Sequence, residues 1–353
     1  MKTILTVILN WRTADMTLRS AAAALRAMAG MPGALTIVDN DSGDGSFETL
    51  CAEVVARGWD KGEIPVRVIQ SGRNGGFGAG NNVGIRAGLP ADFPGGTRPD
   101  YIYILNSDAF PDSGPDSGPD PGPDPGSDPG AIRVLYDHLN ANPNTGFAGS
   151  YIHGEDGTPH RTAFRFPSVL GEFESSVRFG PISRLLANHV VAQPIPSATT
   201  RVDWLAGASL MMRQDVLDAI GLFDETFFLY FEETELCHRA AVAGYPTDYV
   251  RESRIMHIGS VSTGMKTWRR MPGYWFDSRL YYFTKVHGRG YAALATISLI
   301  FGSMLWRLRL LIHRKDRGDP PCFLRDLIAH AARAYLWRSP QNKVPTAPQR
   351  AKL

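Results

Sequence analysis

Residues 4–40 read ILTVILNWRTADMTLRSAAAALRAMAGMPGALTIVDN, and this stretch decides the fold class. Residues 4–9 are apolar and β-branched without alternation, the pattern of a strand covered on both faces. Residues 17–29 are rich in Ala and Leu and stop at Gly30, which reads as a helix with a glycine stop. Residues 35–39 repeat the strand pattern and end on Asp39. Working outward, 66–70, 101–105 and 147–152 read as further strands and 47–57 as a second helix. Strands alternating with helices predict a doubly wound α/β sheet, in which ligands gather at the carboxyl ends of the strands.

The chain has 353 residues, 43% hydrophobic and 20% charged, which excludes a wholly disordered chain, a collagen and a small disulfide scaffold. Cys51, Cys237 and Cys322 are far apart and form no CxxC, so a reducing, cytoplasmic setting is expected. The apolar run at the N-terminus lacks a small-residue cleavage site and reads as a strand, not a signal peptide. The net charge of +2 hides an asymmetry: residues 285–353 hold 13 Lys/Arg and 3 Asp/Glu, a balance of +10, while the rest is acidic. A basic tail predicts an anionic partner. A negatively charged membrane surface is favoured over nucleic acid, because the tail's aromatics fall in apolar helical patterns without a stacking platform.

Further along, 202–213 reads as a strand running into a helix at 214–220, and 232–243 as a helix ended by Gly244. Residues 112–130, DSGPDSGPDPGPDPGSDPG, form a repeat with no apolar side chain, expected as a flexible loop. Its aspartates lack the Gly turn and terminal Glu of an EF-hand loop. Residues 266–353 form a separate basic, partly apolar helical region. Within it, 291–306 carries 16 residues without a charge, short of the length expected of a spanning helix.

Polar residues decorate successive strand ends: Asn10, then Asp39-Asn40-Asp41-Ser42, then Asn74-Gly75-Gly76-Phe77 with Gly80-Asn81-Asn82, then Asn106-Ser107-Asp108. Singly, these are turns and flexible loops. Jointly they suit a nucleotide pocket, where Asp39 accepts hydrogen bonds and the glycines let backbone approach a phosphate. The glycine run is neither GxGxxG nor a P-loop, so hydride transfer and ATP hydrolysis lack support. Asp108 at a strand end suits Mg2+ or Mn2+, which take one or two carboxylates plus phosphate oxygens, and an Asp turn leading into the repeat fits the same spacing equally well. Residues 227–239, FFLYFEETELCHR, crowd Glu232, Glu233 and Glu235 into a helix start. The helix dipole favours acids there, and a general base at a pocket wall is the functional alternative. Helical spacing separates the three: Glu235 has Arg239 four residues on, as in a surface ion pair, with Glu232 on roughly that side. Glu233 has Leu236 and Cys237 as its neighbours, a setting that raises a carboxyl pKa toward the working range.

In order along residues 3–262, these motifs, with Trp204-Leu205-Ala206-Gly207-Ala208 and His257, resemble a family 2 glycosyltransferase of the rhamnosyltransferase-like, cell-wall and O-antigen type. The resemblance implies a GT-A fold over residues 1–265, with 266–353 as a C-terminal helical extension. It also implies an inverting mechanism, a nucleotide-sugar donor and a divalent metal. By position, Asn10, Asp39, Asn74, Gly76, Asn82, Asn106 and Asp108 would line the donor, and Asp108 and His257 would bind the metal. Glu233 would be the base, and Trp204, Gly207 and Ala208 would face the acceptor. Two departures stand out: Asn106 replaces the first carboxylate of the metal motif, and Glu233 stands where Asp is usual. The resemblance further implies a saccharide or lipid-linked saccharide acceptor, dTDP-rhamnose as donor, and a place at the inner face of the plasma membrane. A non-catalytic nucleotide-sugar-binding or scaffold protein on the same fold is the rival reading.

Overall fold

The computed structural model describes residues 1–112, 130–259, 269–313 and 320–336. The Asp-Pro-Gly repeat from 113 to 129 and the domain boundary expected at 265 lie outside the described residues.

The chain opens as expected with β1 (Ile4–Asn10), α1 (Ala14–Ala27), β2 (Gly33–Asp39), α2 (Ser46–Ala56) and β3 (Val66–Gln70). Next come α3 (Phe77–Ala87), β4 (Tyr101–Asn106), β5 (Ala109–Pro111), α4 (Ala131–Ala141), β6 (Phe147–His153) and β7 (Ala163–Phe164). Helices α5 (Val169–Val177) and α6 (Gly180–Leu185) precede β8 (Thr200–Val202), β9 (Trp204–Leu205) and β10 (Ser209–Arg213). Then follow α7 (Gln214–Ile220), α8 (Glu232–Val242) and β11 (Thr247–His257). The C-terminal helices are α9 (Gly273–His287), α10 (Arg289–His313) and α11 (Phe323–Leu336).

Nine strands form one sheet in the order β3-β2-β1-β4-β10-β6-β11-β5, with β8 also on β11. The half built from β3, β2, β1 and β4 is parallel, while β10 runs antiparallel to both β4 and β6. The sheet is covered on both faces, which is why its strands show no polar alternation. Along β1, Ile4 and Ile8 enter the layer with α1, α2 and α4, while Leu5 and Val7 enter the layer with α3, α7 and α8. The strand expected over 202–213 is instead three short strands, broken at Asp203 and at Ala206-Gly207-Ala208. The break has a cause: β9 leaves the large sheet to pair with β7.

The glycine run departs from its expected form. It is the start of α3, not an open phosphate loop, and protein fills the space that the missing side chains leave. Gly76 has φ +88°, and a Cβ there would strike the Phe228 carbonyl oxygen. Gly84 faces Val7 on β1, where a Cβ would come within 2.5 Å of a methyl. These glycines let α3 lie against the sheet and receive the 222–231 loop. The Phe77 amide then donates to the Phe228 carbonyl at 3.0 Å.

Gly76→Ala adds both left-handed strain and a backbone clash. Its expected cost is about 2 kcal/mol or more, read as a lowered denaturation midpoint against the parent. An unchanged midpoint would show that this approach of the two loops is soft.

Candidate active site

Three clusters of the sequence motifs meet at the carboxyl ends of β1, β2 and β4 and around the start of α8. In the first, the Asn10 amide donates to Asp39 Oδ1 at 2.7 Å and to the Ser42 hydroxyl at 3.3 Å. The Ser42 hydroxyl donates to Asp39 Oδ1 at 2.6 Å, and its backbone N–H to Oδ2 at 3.1 Å. Asp39 is fully buried, and these internal donors satisfy its carboxylate. Arg12, a residue the sequence did not single out, donates from its backbone and from Nε to Ser42. An opening of about 410 Å3 lies beside this cluster, lined by Arg12, Thr13, Asp15, Asp44, Ser46 and Thr49.

Asn74 and Asn82 serve the framework. The Asn74 side-chain oxygen accepts from the Asn40 amide and from the Gly76 N–H, both at 3.1 Å. Asn82 is fully buried and uses both ends of its amide. It donates to the Phe223 carbonyl at 2.8 Å and to Glu225 at 3.0 Å, and it accepts from the Phe223 N–H at 3.2 Å. So Asn82, expected along the donor, is buried and pins the 222–226 loop. Gly76, likewise, is closed off by Phe228.

The second cluster joins the end of β4 to the end of β11. His257 pairs with Ala109 in the sheet, and the Ile258 N–H donates to the Asp108 carbonyl. This brings His257 Nε2 to 3.1 Å from Asp108 Oδ1 and to 3.4 Å from the Asn106 amide. Two cis ligands of an octahedral ion with bonds of about 2.1 Å stand about 3.0 Å apart, so one carboxylate oxygen and one imidazole nitrogen fit a shared Mg2+ or Mn2+. Among the described residues no group of three or more His, Cys, Asp and Glu could hold a metal. Such an ion would therefore draw its remaining ligands from water or a bound diphosphate.

The third cluster is the start of α8. Tyr230 and Phe231 both sit at positive φ, 71° and 70°, so two non-glycine residues turn the chain sharply into the helix. Glu232 is 2% exposed, and its Oε2 has no hydrogen-bond partner. Glu233 is half-buried, with one oxygen 3.4 Å from the Gly207 N–H and the other without a partner. Burial pushes the Glu233 carboxyl above the ordinary range. Burial and then the neighbouring Glu233 push Glu232 well above it. Desolvation therefore outweighs the helix dipole, which would favour the ionised forms. This corrects the expected placing of Glu232, which is buried beside Glu233 and does not share a solvent face with Glu235. Glu235 is ion-paired with Arg239 at 2.8 Å as its spacing predicts, yet it is 1% exposed and so no surface pair.

Segment 204–208 connects the second and third clusters. The Asn106 N–H donates to the Ala208 carbonyl, Gly207 faces Glu233, and Trp204 stacks on Phe164 at 4.1 Å. Helix α9 braces the 224–235 segment, a contact no sequence motif signals. Lys285 bridges Asp224 at 2.6 Å and Glu235 at 2.7 Å, Tyr281 donates to Asp224, and Ser278 donates to the Leu229 carbonyl. Burial alone would raise the Asp224 carboxyl, but Lys285 and the Thr226 and Tyr281 donors hold it at about 2.

No protein-family model matches the chain. A curated relative, the N-acetylglucosaminyl-diphospho-decaprenol L-rhamnosyltransferase of Mycobacterium tuberculosis, is 25% identical over 237 residues, covering 66% of this chain and 69% of that protein. The low-salt glycan biosynthesis hexosyltransferase Agl10 of Haloferax volcanii is 27% identical over 175 residues, covering 50% of this chain and 46% of that one. Among solved structures, the mannosyltransferase PcManGT from Pyrobaculum calidifontis, in complex with GDP-Man and Mn2+, superposes with a TM-score of 0.51. That match is 12% identical and covers 95% of this chain and 81% of the other. S. aureus TarS 1-349 in complex with UDP-GlcNAc also gives 0.51, at 10% identity and with 94% and 81% covered. The fold is GT-A, with C-terminal helices added. The resemblance read from the motifs holds at the level of a glycosyltransferase: the chain is similar to a rhamnosyltransferase and to a hexosyltransferase.

A buried carboxyl with a raised folded pKa binds its proton more tightly than in the unfolded chain, so stability is lost as pH rises from the ordinary carboxyl value, 4.5, toward the folded one. Glu232→Gln removes that loss. Its melting temperature is expected to gain on the parent as pH is raised from about 5 to about 8. A constant difference across the range would mean that Glu232 titrates normally.

Proposed function

We propose that this chain is an inverting family 2 glycosyltransferase, moving a sugar from a nucleotide-sugar donor to a hydroxyl of a saccharide or lipid-linked saccharide in cell-surface polysaccharide synthesis. The observation that carries this reading is the pairing of two sites through one segment: Asp108 with His257, and Glu233 against Gly207, joined by the Ala208–Asn106 hydrogen bond. One site suits a leaving diphosphate and the other suits an attacking hydroxyl.

Asp108 and His257 would hold Mg2+ or Mn2+, which when bound screens the diphosphate and stabilises it as a leaving group. The Asn10, Arg12, Asp39 and Ser42 cluster would receive the nucleoside end, with Asn74 and Gly76 shaping the wall beside it. The Asn106 amide, neutral and 3.4 Å from His257, would orient the imidazole or bond the donor. Glu233, with an unpartnered oxygen and a raised pKa, would take the acceptor's proton as the hydroxyl attacks the anomeric carbon from the face opposite the diphosphate. One such displacement inverts the anomeric centre. Trp204, Gly207 and Ala208 would form the acceptor side.

The name of the Mycobacterium tuberculosis relative supports rhamnose as the sugar and an acceptor on a lipid carrier, and dTDP-rhamnose as the donor follows from the motif resemblance alone. Such an acceptor is met at the inner face of the plasma membrane, where the basic C-terminal region suits peripheral attachment. The one unpartnered oxygen on each of Glu232 and Glu233 speaks against a scaffold without catalysis, since the fold's own packing leaves both atoms unused.

The test is transfer from a panel of nucleotide sugars, followed by nucleotide release. Activity should need Mg2+ or Mn2+, and Asp108→Asn should remove most of it along with the metal dependence. Full activity in excess chelator contradicts the metal site. Glu233→Gln should abolish turnover and leave donor binding near that of the parent. Glu235→Gln strips a buried partner from Arg239 and Lys285, so it should lower stability more than turnover per folded molecule. Near-normal turnover in Glu233→Gln would reassign the base.

A further inference from the structure

Helix α10 is longer than the uncharged run from which it was read. It extends over 25 residues, and Arg289–Leu311 is long and apolar enough to cross a membrane. Its two faces differ sharply. Leu294, Ile297, Phe301, Met304, Leu308 and Leu311 recur at three- and four-residue intervals and are 54–81% exposed. They make one continuous stripe, beside a groove of about 650 Å3.

The opposite face is committed to the body. Ala292, Ala295, Leu299 and Ser303 are buried there. Gly302 is so close to α5 that a Cβ would collide with the Ser176 hydroxyl. Ser298 donates to the Val169 carbonyl, and Thr296 accepts from Arg279, which is itself buried in an ion pair with Glu172 at 2.9 Å.

We infer that the exposed stripe of α10 docks in the plane of an anionic lipid leaflet, with the helix half-embedded and not spanning. Charge selects the lipid. No acidic residue lies anywhere on α10, and its charged side chains are Arg289, Arg307 and Arg309. Exposed Arg178 and Arg184 lie on the neighbouring segment, 178–184. The nearby acids are engaged: Glu172 by Arg279, Glu174 by the Ser183 hydroxyl, Asp326 by Arg270. The face is thus apolar with a cationic rim, the pattern that binds acyl chains and anionic headgroups together. Pairing with a second copy fits worse. The position beside the stripe that carries opposite charges in paired helices holds Arg307, with no acid to meet it. Spanning fits worse as well, since it would draw α5 and the Glu172–Arg279 pair into hydrocarbon.

The inference deepens the reading of the acceptor as lipid-borne, but its test needs neither donor nor acceptor. Purified full-length protein is floated with vesicles of phosphatidylcholine alone or mixed with phosphatidylglycerol. Binding is expected to the anionic vesicles, weakened by salt and reversed by alkaline carbonate. The triple variant Ile297→Ser, Leu308→Ser, Leu311→Ser, matched to the parent in circular dichroism and melting temperature, should lose at least about tenfold in partitioning. Should that variant fail to fold, the single Leu311→Ser, the most exposed position, must still weaken binding. No binding by the parent, or equal binding by a folded variant, overturns the proposal. So does resistance to carbonate, which would mean insertion. A lipid-free dimer that the triple variant dissolves overturns it in favour of a second copy. Vesicle binding without transferase activity would leave this inference standing and defeat the functional reading alone.

Discussion

The approach of the 222–231 loop to the start of α3 is the constraint on which the site depends. Gly76 leaves room for the Phe228 carbonyl, the Phe77 amide bonds it, and Asn82 ties down Phe223 and Glu225 one turn further along α3. Because α3 is itself seated on β1 and β2 through Gly80 and Gly84, the sheet's carboxyl edge and the loop that precedes Glu233 form one rigid unit. A larger residue at any of these glycines would push the loop away from the sheet and separate the Asp39 cluster from the start of α8. The glycines are thus spent on holding protein to protein, and the open surface for a ligand is formed by the edges they align.

The state of Glu233 follows from opposing effects of different size. The start of a helix stabilises negative charge by up to a kcal/mol or so when exposed, about 0.3–1 kcal/mol. Two adjacent carboxyls in a pocket that buries Glu232 and half-buries Glu233, each with an unpartnered oxygen, meet a larger penalty, and their pKa values rise. Such a pocket persists because its surroundings are fixed from outside. Lys285 and Tyr281 hold Asp224, Lys285 and Arg239 hold Glu235, and aromatic contacts from Phe227 and Phe231 reach Tyr281 and Tyr282 on α9. Two residues in left-handed backbone just before the helix are tolerated within that frame. Ion pairs to Arg239 and Lys285 commit Glu235 to the framework, while Glu233, two positions away, keeps one oxygen without a partner.

The parallel half of the sheet was legible because burial on both faces writes itself into uninterrupted apolar runs, as in 4–9 and 35–39. Asn10, Asp39 and Asp108 were legible as strand-end residues and His257 through the family resemblance, and their convergence follows from strands that end at one edge of the sheet. Other features depend on contacts distant in sequence. Whether a glycine faces a phosphate or a carbonyl such as that of Phe228 is set by a loop some 150 residues on, and composition does not carry it. The 202–213 segment has one strand-like composition, yet β9 turns aside to pair with β7. Spacing placed Glu235 opposite Arg239 correctly, but α9 covers that side, so its expected exposure was lost. Lys285 had no signal at all, since a lysine in a basic tail looks like every other lysine there.

The departure at Asn106 becomes intelligible in this setting. The end of β4 already presents Asp108, 5% exposed, to His257, and the Asn106 side chain lies within 3.4 Å of the same imidazole nitrogen. A second carboxylate here would set a like charge beside Asp108 whenever no cation is bound. A neutral amide avoids that penalty and still offers an oxygen or a hydrogen-bond donor to a neighbour. A metal site built on this pair would be weak in the absence of donor, because one carboxylate and one imidazole do not replace the water around Mg2+ or Mn2+. A diphosphate would supply the missing charge and oxygens, so metal and donor would bind together more tightly than either alone. If Asp108 and His257 hold the ion as proposed, so sparse a ligand set would make metal retention conditional on the presence of a donor.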